Sequence, residues 1–107
     1  MESRREQICW AAGLIEGEGC FTLHSKNHPY FLLDLTDEDT IDKLKEIFPF
    51  TTKRGPYENK KNTTNKPRWR IDAFGPLAYA LMVQVYPFLQ SRRKAKIEEL
   101  IKIWSGK

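Results

Sequence analysis

One predicted helix near the start of the chain carries two interior glycines, and this feature constrains the fold more than any other. Residues 4–17 contain small and apolar side chains, no proline and no run of β-branched residues, and therefore predict a helix. Cys9, Gly13 and Gly17 lie four residues apart on one face of it. Each interior glycine costs about 1 kcal/mol relative to alanine, so such a helix would be weak on its own. The stripe of small residues is explained if a second helix packs closely against it, as a second copy of the chain would allow.

The segments that follow predict two strands and a helix. Residues 20–24 alternate between polar and apolar positions, which is typical of a strand, and residues 30–35 predict a second strand with Phe31, Leu33 and Leu35 on one face. Thr36 is expected to cap the next helix, because the three acidic residues directly after it suit the positive end of a helix dipole. Pro49 is expected to stop this helix. Its buried face is expected to consist of Ile41, Leu44, Ile47 and Phe48.

In residues 68–74 apolar and charged side chains alternate, which predicts a strand with two unlike faces. The apolar face holds Trp69, Ile71 and Ala73, and the charged face holds Arg68, Arg70 and Asp72. Another strand begins near Thr51, and a polar loop around Gly55-Pro56 and residues 59–66 is expected to join the two. The sheet is therefore expected to have an apolar back, and a basic front that no helix covers.

Two helices complete the predicted order. The first opens at Gly75-Pro76, where proline is favoured in the first turn, and the second spans about residues 90–104. The inward stripe of the first is expected to consist of Leu77, Leu81 and Val85. The order α-β-β-α-β-β-α-α predicts an α+β fold, with residues 1–107 forming one domain around an antiparallel sheet.

Charge is distributed unevenly along the chain. Residues 34–46 hold six acids and two lysines, whereas residues 51–70 hold seven bases and one acid, and residues 92–96 form a second basic run. Bases interleaved with Tyr57 and Trp69 suit a polyanion, most simply a nucleic acid. A single basic run is more often a solvated face, but two runs in so short a chain favour a nucleic-acid partner.

Length and composition exclude several classes of protein. The 107 residues suffice for one modest core and exclude a multidomain enzyme. The two cysteines, Cys9 and Cys20, are too few for a disulfide framework or a zinc site, and the first ten residues lack the apolar segment of a signal peptide. No apolar run approaches the roughly 18 residues that span a bilayer. We therefore expect an intracellular, cytoplasmic protein with no membrane partner.

Residues 11–19, with the sequence AAGLIEGEG, resemble the motif of the LAGLIDADG homing endonucleases over all nine positions. The family letters are carried by Ala12, Gly13, Leu14, Ile15 and Gly19. Glu16 and Glu18 replace aspartate, Gly17 keeps a small residue, and Ala11 replaces the usual leucine. Residues 35–39, 68–71 and 86–89 resemble weaker family segments, in the family's order. The chain is thereby identified as a single-motif, phage-type member, for which a bacterial or phage context is expected.

This resemblance implies a fold, an activity and an assembly. The fold is α+β with a four-stranded antiparallel saddle sheet, and the activity is metal-dependent hydrolysis of double-stranded DNA at a specific site, giving a staggered break. A single-motif chain is implied to pair as a homodimer through the residue 4–17 helix, with Cys9, Gly13 and Gly17 at the interface. The carboxylate of Glu18 and the carbonyl of Gly17 are the implied ligands of Mg²⁺, and the symmetry mate completes the site.

The resemblance also implies peripheral roles. Arg92, and after it Lys94, matches the basic residues that stand near the scissile phosphate. Asp37 occupies a position that orients water, although many members carry an uncharged residue there, and Glu16 is expected to cap or brace the helix pair. The expected DNA contacts are the outward residues of the sheet and its loops: Thr22, His24, Lys26, Lys53, Arg54, Tyr57, Lys66, Arg68, Arg70 and Asp72.

Two other functions remain open on the sequence. One is a non-cleaving DNA- or RNA-binding protein of the same fold, such as a maturase or a regulator, and the other is a basic dimerising protein with no nucleic-acid role. The acid retained at Glu18 favours the endonuclease. His24 and His28 are spaced across a predicted strand and turn, and we expect them to be surface or DNA-contact residues and not metal ligands.

Overall fold

The structure is a computed structural model that describes residues 2–25, 27–58 and 66–106. Within these residues, four helices and four strands follow the predicted order α-β-β-α-β-β-α-α, which confirms the α+β class. The elements are α1 (Arg4–Glu18), β1 (Cys20–His24), β2 (His28–Leu35), α2 (Glu38–Ile47), β3 (Thr52–Tyr57), β4 (Arg68–Phe74), α3 (Pro76–Val85) and α4 (Ser91–Ser105), with a 3-10 turn (Tyr86–Phe88) between the last two helices. None of the described helices is long and apolar enough to cross a membrane.

The four strands form one antiparallel sheet in the order β1-β2-β4-β3. Phe31 on β2 pairs with Phe21 on β1 and Ala73 on β4, so these side chains share one face of the sheet. Their neighbours along the strands, such as Tyr30 and Asp72, share the opposite face. All four helices pack on the first face, and no helix of the described residues covers the other.

The core lies between the apolar face of the sheet and the inner sides of the helices. The sheet contributes Phe21, Phe31, Leu33, Ile71 and Ala73, each at most 4% exposed. The helices contribute Ala11, Ala12 and Ile15 of α1, Ile41, Leu44 and Ile47 of α2, Ala78, Leu81, Met82 and Val85 of α3, and Ile97 and Leu100 of α4. The predicted buried face of α2, including Phe48 just after it, is confirmed.

The cap of α2 is Asp37 and not Thr36, so that expectation is wrong by one residue. The Asp37 carboxylate accepts hydrogen bonds from the backbone N–H of Asp39 at 3.2 Å and from the Thr40 hydroxyl at 2.7 Å. A carboxylate satisfies the free amides of the first turn and also benefits from the helix dipole, whereas the threonine hydroxyl would gain only the hydrogen bond.

The inner stripe of α3 also differs from expectation. Leu77 is 46% exposed, and the buried positions are Ala78, Leu81, Met82 and Val85. These residues follow the helical spacing i, i+3, i+4, i+7, which leaves position 77 on the outer side. α3 is apolar on nearly all sides, so its sequence could not indicate which stripe faces inward.

Gly55-Pro56 lies inside β3 and not in the predicted loop. The pairing register with β4 shifts between Arg54 and Tyr57, which is a bulge in the strand. Gly55 adopts φ +123°, and a Cβ there would stand 3.1 Å from the Arg68 carbonyl oxygen. Only glycine fits this conformation without strain, and the bulge ends by placing Tyr57 opposite Arg68.

Candidate functional site

The face of the sheet that no helix covers is called the open face here. By the strand register, its described residues are Cys20, Thr22, His24, His28, Tyr30, Leu32, Asp34, Thr52, Arg54, Tyr57, Arg68, Arg70, Asp72 and Phe74. Charged side chains gather where β2 and β4 meet β3, and aromatic rings gather toward the β1–β2 turn. The sequence predicts a basic front, and it gives no sign that this face is divided into a charged half and an aromatic half.

In the charged half, Asp34 on β2 binds two arginines of β4. Arg70 donates to it from Nε at 2.7 Å and from Nη2 at 2.9 Å, and Arg68 donates from Nη1 at 3.2 Å. The hydrogen bond to Asp34 raises the pKa of Arg70 above its usual value, against a smaller lowering by partial burial. The Arg70 guanidinium is thus fixed through its Nε–Nη2 edge. Nη1 makes no hydrogen bond among the described residues, so the outer edge, formed by Nη1 and the second N–H of Nη2, is available to a ligand.

A second carboxylate, Asp72, lies beside this pair. It is 4% exposed, and it accepts from Arg54 Nε at 2.7 Å and from the Tyr30 hydroxyl at 2.9 Å. Burial and the hydrogen bond to Asp72 raise the pKa of Tyr30. Asp72 lies on the open face, as expected of a DNA contact, but its carboxylate is buried and already paired, because Tyr30 and Arg54 cover it.

The open face is less positive than the sequence suggests. Three arginines, Arg54, Arg68 and Arg70, share it with Asp34 and Asp72, so these five side chains carry a net charge of +1. Asp34 belongs to the acidic segment of the sequence but lies among the bases of the structure. The Tyr57 ring adds a further contact, with the guanidinium carbons of Arg68 and Arg70 at 5.7 and 5.9 Å from its centroid.

Lys53 lies on the helix side of the sheet, so the expectation that it faces outward is wrong. It pairs in register with the buried Ile71. Its ammonium group binds Glu38 and Asp42 of α2, each at 2.6 Å, and stands 4.6 Å from the Trp69 ring centroid. The sequence could not show this, because the face of a residue on β3 depends on its register with β4.

The aromatic half of the open face surrounds Phe74. The Phe74 ring centroid lies 5.4 Å from those of His24 and His28 and 6.3 Å from that of Tyr30. Thr22 pairs in register with Tyr30 beside them. The expected contact Lys26 lies outside the described residues, and Lys66 is exposed just before β4.

The motif ends in an exposed carboxylate. Glu18 is the last residue of α1 and is exposed, and the Gly19 amide donates to the Ile15 carbonyl at 2.8 Å. A Cβ on Gly19 would stand 2.8 Å from Ile15 Cγ2 and 2.9 Å from the Ile15 carbonyl oxygen, so only glycine allows this tight turn into β1. The last carbonyls of a helix have no partner within it and lie at the negative end of its dipole.

These groups fit a hard divalent cation only in part. A carboxylate and helix-end carbonyls are oxygen ligands of the kind that Mg²⁺ and Ca²⁺ prefer. Among residues 2–25, 27–58 and 66–106 of one chain, however, no three His, Cys, Asp or Glu side chains come together to hold a metal. At this end of α1 one chain therefore offers a single exposed side-chain carboxylate, that of Glu18, beside the last carbonyls of the helix.

The outer side of α1 is unusually bare. Cys9, Gly13 and Gly17 are exposed, and a Cβ added to either glycine would meet nothing within 4 Å. Packing among the described residues therefore gives no reason for glycine at either position, although each one weakens the helix.

A basic groove of about 400 Å³ lies beside the motif, between β1 and α4. Its lining residues are Gly19, Cys20, Phe21, Arg92, Arg93, Ala95, Lys96 and Glu99. Arg92 lies in it, whereas Lys94 lies elsewhere on α4, with its ammonium group 5.4 Å from the Tyr86 ring. Sequence reasoning missed Lys96, which the i, i+4 spacing from Arg92 could have indicated.

Glu16 and Asp37 both serve as caps within the chain. Glu16 accepts from the Gln90 amide at 2.7 Å, at the start of α4, and stands 3.7 Å from Arg93 Nε. It therefore braces α1 against α4 of its own chain. Asp37 caps α2 as described above, so part of its hydrogen-bonding capacity is already used.

A motif helix followed by an antiparallel sheet with one open face defines the LAGLIDADG homing-endonuclease fold, and comparison with solved structures confirms this assignment of the fold. The homing endonuclease I-CvuI in complex with its target matches 94% of this chain and 69% of its own, with a TM-score of 0.66 and 12% identity. I-CvuI with the I-CreI target in the presence of Mg matches over the same shares, with a TM-score of 0.65 and 13% identity.

A third match is the archaeal intron-encoded homing endonuclease I-Vdi141I complexed with DNA. Its TM-score is 0.68 at 13% identity, over 94% of this chain and 67% of that one. No protein-family model matches the sequence, and no curated protein matches it significantly. At such low identity the likeness establishes the fold of this chain and not its activity.

Proposed function

We propose that two copies of this chain form a site-specific, Mg²⁺-dependent endonuclease that makes a staggered break in double-stranded DNA. The observation that carries the proposal is the bare glycine face of α1, which ends at the exposed Glu18. Among the described residues of one chain, the two glycines weaken α1 and no side chain packs into the space that they leave. The Glu18 carboxylate likewise has no partner among the described residues. A second copy accounts for both features at once.

Pairing of two α1 helices about a twofold axis supplies the missing half of the site. Glycine lets the two backbones approach closely, and the symmetry brings the two Glu18 carboxylates to the same end of the helix pair. Two carboxylates repel each other unless a cation lies between them, and the Gly17 carbonyls add further oxygen ligands. Bound Mg²⁺ would supply an activated water and stabilise the leaving oxygen of the cleaved phosphodiester.

The residues around this site are proposed to hold the DNA backbone in place. Arg92 lies in the groove beside Gly19 and neutralises the phosphate next to the cleaved bond. Lys94 has the weaker claim, because its ammonium group lies against Tyr86. Asp37 can orient water only through the carboxylate lone pairs that the α2 cap does not use.

The open face is proposed to lie in the major groove, which is wide enough for strands. Arg54, Arg68 and Arg70 are fixed by carboxylates and present their remaining N–H groups outward. Thr22, His24, Tyr57 and Lys66 complete the proposed contact surface. Two such surfaces in a dimer would read a long site with twofold symmetry.

The test is cleavage of duplexes selected from a random-sequence library for binding to the protein. The unchanged protein should cut bound duplexes when Mg²⁺ is added, and Glu18→Gln should bind them without cutting. Glu46→Gln is the matched control, because it removes one exposed carboxylate on α2. Cleavage by Glu18→Gln, or no cleavage of any bound duplex by the unchanged protein, would contradict the proposal.

A non-cleaving nucleic-acid-binding protein is the second candidate. It is favoured by the absence of a carboxylate cluster within the described part of a single chain, since the arginines of the open face need no metal. This function predicts tight, salt-sensitive binding to DNA or RNA with no cutting, because phosphate contacts release counterions. The cleavage experiment above separates the two candidates.

A further inference from the structure

Four aromatic rings form a patch on the open face, at the end nearest the β1–β2 turn. The patch consists of His24, His28, Tyr30 and Phe74, with Phe74 in ring contact with the other three. His24 also contacts Tyr30, with 5.2 Å between centroids. Phe74 is 43% exposed. Among the described residues, Phe74 and Tyr57 are the exposed large apolar side chains of the open face.

Phe74 has no role in the core. Ala73, its neighbour on β4, is 4% exposed and packs under the sheet, whereas Phe74 points to the other side. Its surroundings nevertheless fix its position. The Tyr30 hydroxyl is anchored on Asp72 at 2.9 Å, and the Gly75 amide donates to the Pro29 carbonyl at 2.8 Å, which ties the end of β4 to β2.

The patch continues the arginine half of the same face. Asp72 binds both Tyr30 of the patch and Arg54 of the charged half, so one hydrogen-bonded unit joins the two halves. A ligand long enough to follow both halves of the open face would therefore pass over Phe74. For double-stranded DNA that ligand surface is the major groove, where the bases present donors, acceptors and one apolar group, the C5-methyl of thymine.

We propose that Phe74 reads a thymine methyl group in each half of the DNA site, and this inference rests on the proposed function. The phenyl ring makes an apolar contact with thymine and none of equal value with cytosine or a purine. Stacking of a base on the ring would require an unpaired strand, which an intact duplex does not offer. Phe74 is thus a specificity-determining residue and Tyr30 a positioning residue.

The strand geometry bounds the position of this thymine. Phe74 and Arg70 lie four residues apart on β4, a distance of about 13 Å at the rise of a strand. DNA rises about 3.4 Å per base pair, so the thymine should lie at most about four base pairs from the pair that Arg70 contacts.

The experiment replaces thymine by deoxyuridine, which removes only the methyl group. Duplexes are first selected from a random library, and each thymine of the best site is then replaced singly. Binding is measured on the Glu18→Gln background, so that cutting does not interfere. At one position in each half-site the replacement should weaken binding about 3- to 5-fold, which is the size expected for one buried methyl group.

Phe74→Ala should remove that difference, binding the thymine and deoxyuridine duplexes equally. Leu77→Ala is the matched control, because Leu77 is similarly exposed, at 46%, but lies on α3 on the helix side of the sheet. The control should keep the full thymine preference. Since the deoxyuridine series needs no change at Phe74, the proposal stays testable even if Phe74→Ala does not fold.

Four results would overturn the inference. Binding without a methyl effect at any thymine, or a methyl effect that survives Phe74→Ala, removes the role of Phe74 while leaving the proposed function intact. General weakening of all duplexes by Phe74→Ala, with the methyl effect unchanged, would assign the patch to structure alone. Failure to enrich any duplex contradicts the proposed function itself, and this inference with it.

Discussion

Asp34 on β2 binds Arg70 on β4 through two parallel hydrogen bonds, of 2.7 and 2.9 Å, across neighbouring strands of the open face. The same carboxylate also accepts from Arg68. An arginine held by its Nε–Nη2 edge cannot swing freely toward the nearest phosphate. Its other edge, Nη1–Nη2, has the geometry that binds the O6 and N7 atoms of guanine.

Asp34→Asn should therefore strengthen non-specific DNA binding and weaken discrimination between sites. The change removes one negative charge from the open face of each chain and loosens the hold on both arginines, because an amide has one acceptor oxygen where the carboxylate has two. We expect the loss of a large part of the about 1–3 kcal/mol by which a well-placed arginine distinguishes guanine from other bases. The ratio of dissociation constants for the selected site and a scrambled site, measured at two salt concentrations, checks this.

Asp39→Asn is the control for Asp34→Asn. It removes one exposed carboxylate from the first turn of α2 and so makes the same change in net charge. If both variants shift the two dissociation constants alike, total charge accounts for the effect and the orienting role of Asp34 is excluded.

Neighbouring residues on β3 should behave oppositely, because they face opposite sides of the sheet. Lys53→Met breaks ion pairs with Glu38 and Asp42 on the helix side and should leave DNA affinity unchanged. Arg54→Met removes a cation from the open face and should weaken binding and lower the salt dependence by about one phosphate contact. The measurement is a titration of each variant with DNA over a range of salt concentrations. Equal losses of DNA affinity in the two variants would show that the register of β3 is wrong.

Much of the fold follows from local sequence periodicity. The alternation of residues 68–74 predicts β4, and the motif predicts α1 with its bare glycine face and the turn at Gly19. The pairing of Asp34 with Arg70 could not be predicted, because the two residues are 36 positions apart and meet only since β4 lies beside β2. Lys53 was assigned to the wrong face for a similar reason, since register is not a local property.

Tyr30 should make the fold sensitive to alkaline pH. Its pKa is raised by burial and by the hydrogen bond to Asp72, above the usual value of 10.0. A group whose pKa is raised in the folded state contributes stability below its unfolded pKa, and this contribution is lost as the pH rises through the folded value. The midpoint of urea unfolding should therefore fall above about pH 10.

Tyr30→Phe should lower stability at neutral pH, because Asp72 loses a donor, and should make the alkaline fall smaller. Tyr79→Phe removes a hydroxyl on α3, away from Asp72, and serves as the control. Because the chain has four tyrosines, the pKa of Tyr30 is obtained from the difference between the tyrosinate absorbance titrations of the folded unchanged protein and of Tyr30→Phe. If the urea midpoint falls equally above pH 10 in Tyr30→Phe and in the unchanged protein, Tyr30 makes no contribution to the alkaline loss of stability.

The glycine face of α1 gives the sharpest prediction, because stability and assembly should move in opposite directions. A Cβ at Gly13 meets nothing within 4 Å among the described residues, and Gly13→Leu improves helix propensity by about 1 kcal/mol, so the dilute monomer should become more stable. In the proposed dimer the same side chain would stand between two paired α1 helices, so sedimentation should show monomers at concentrations where the unchanged protein is expected to dimerise. Cleavage should then be lost although Glu18 is intact. Gly19→Ala gives the contrast, since its Cβ would stand 2.8 Å from Ile15 Cγ2 and should destabilise the chain itself. A Gly13→Leu protein that still dimerises and cuts DNA would place the interface elsewhere.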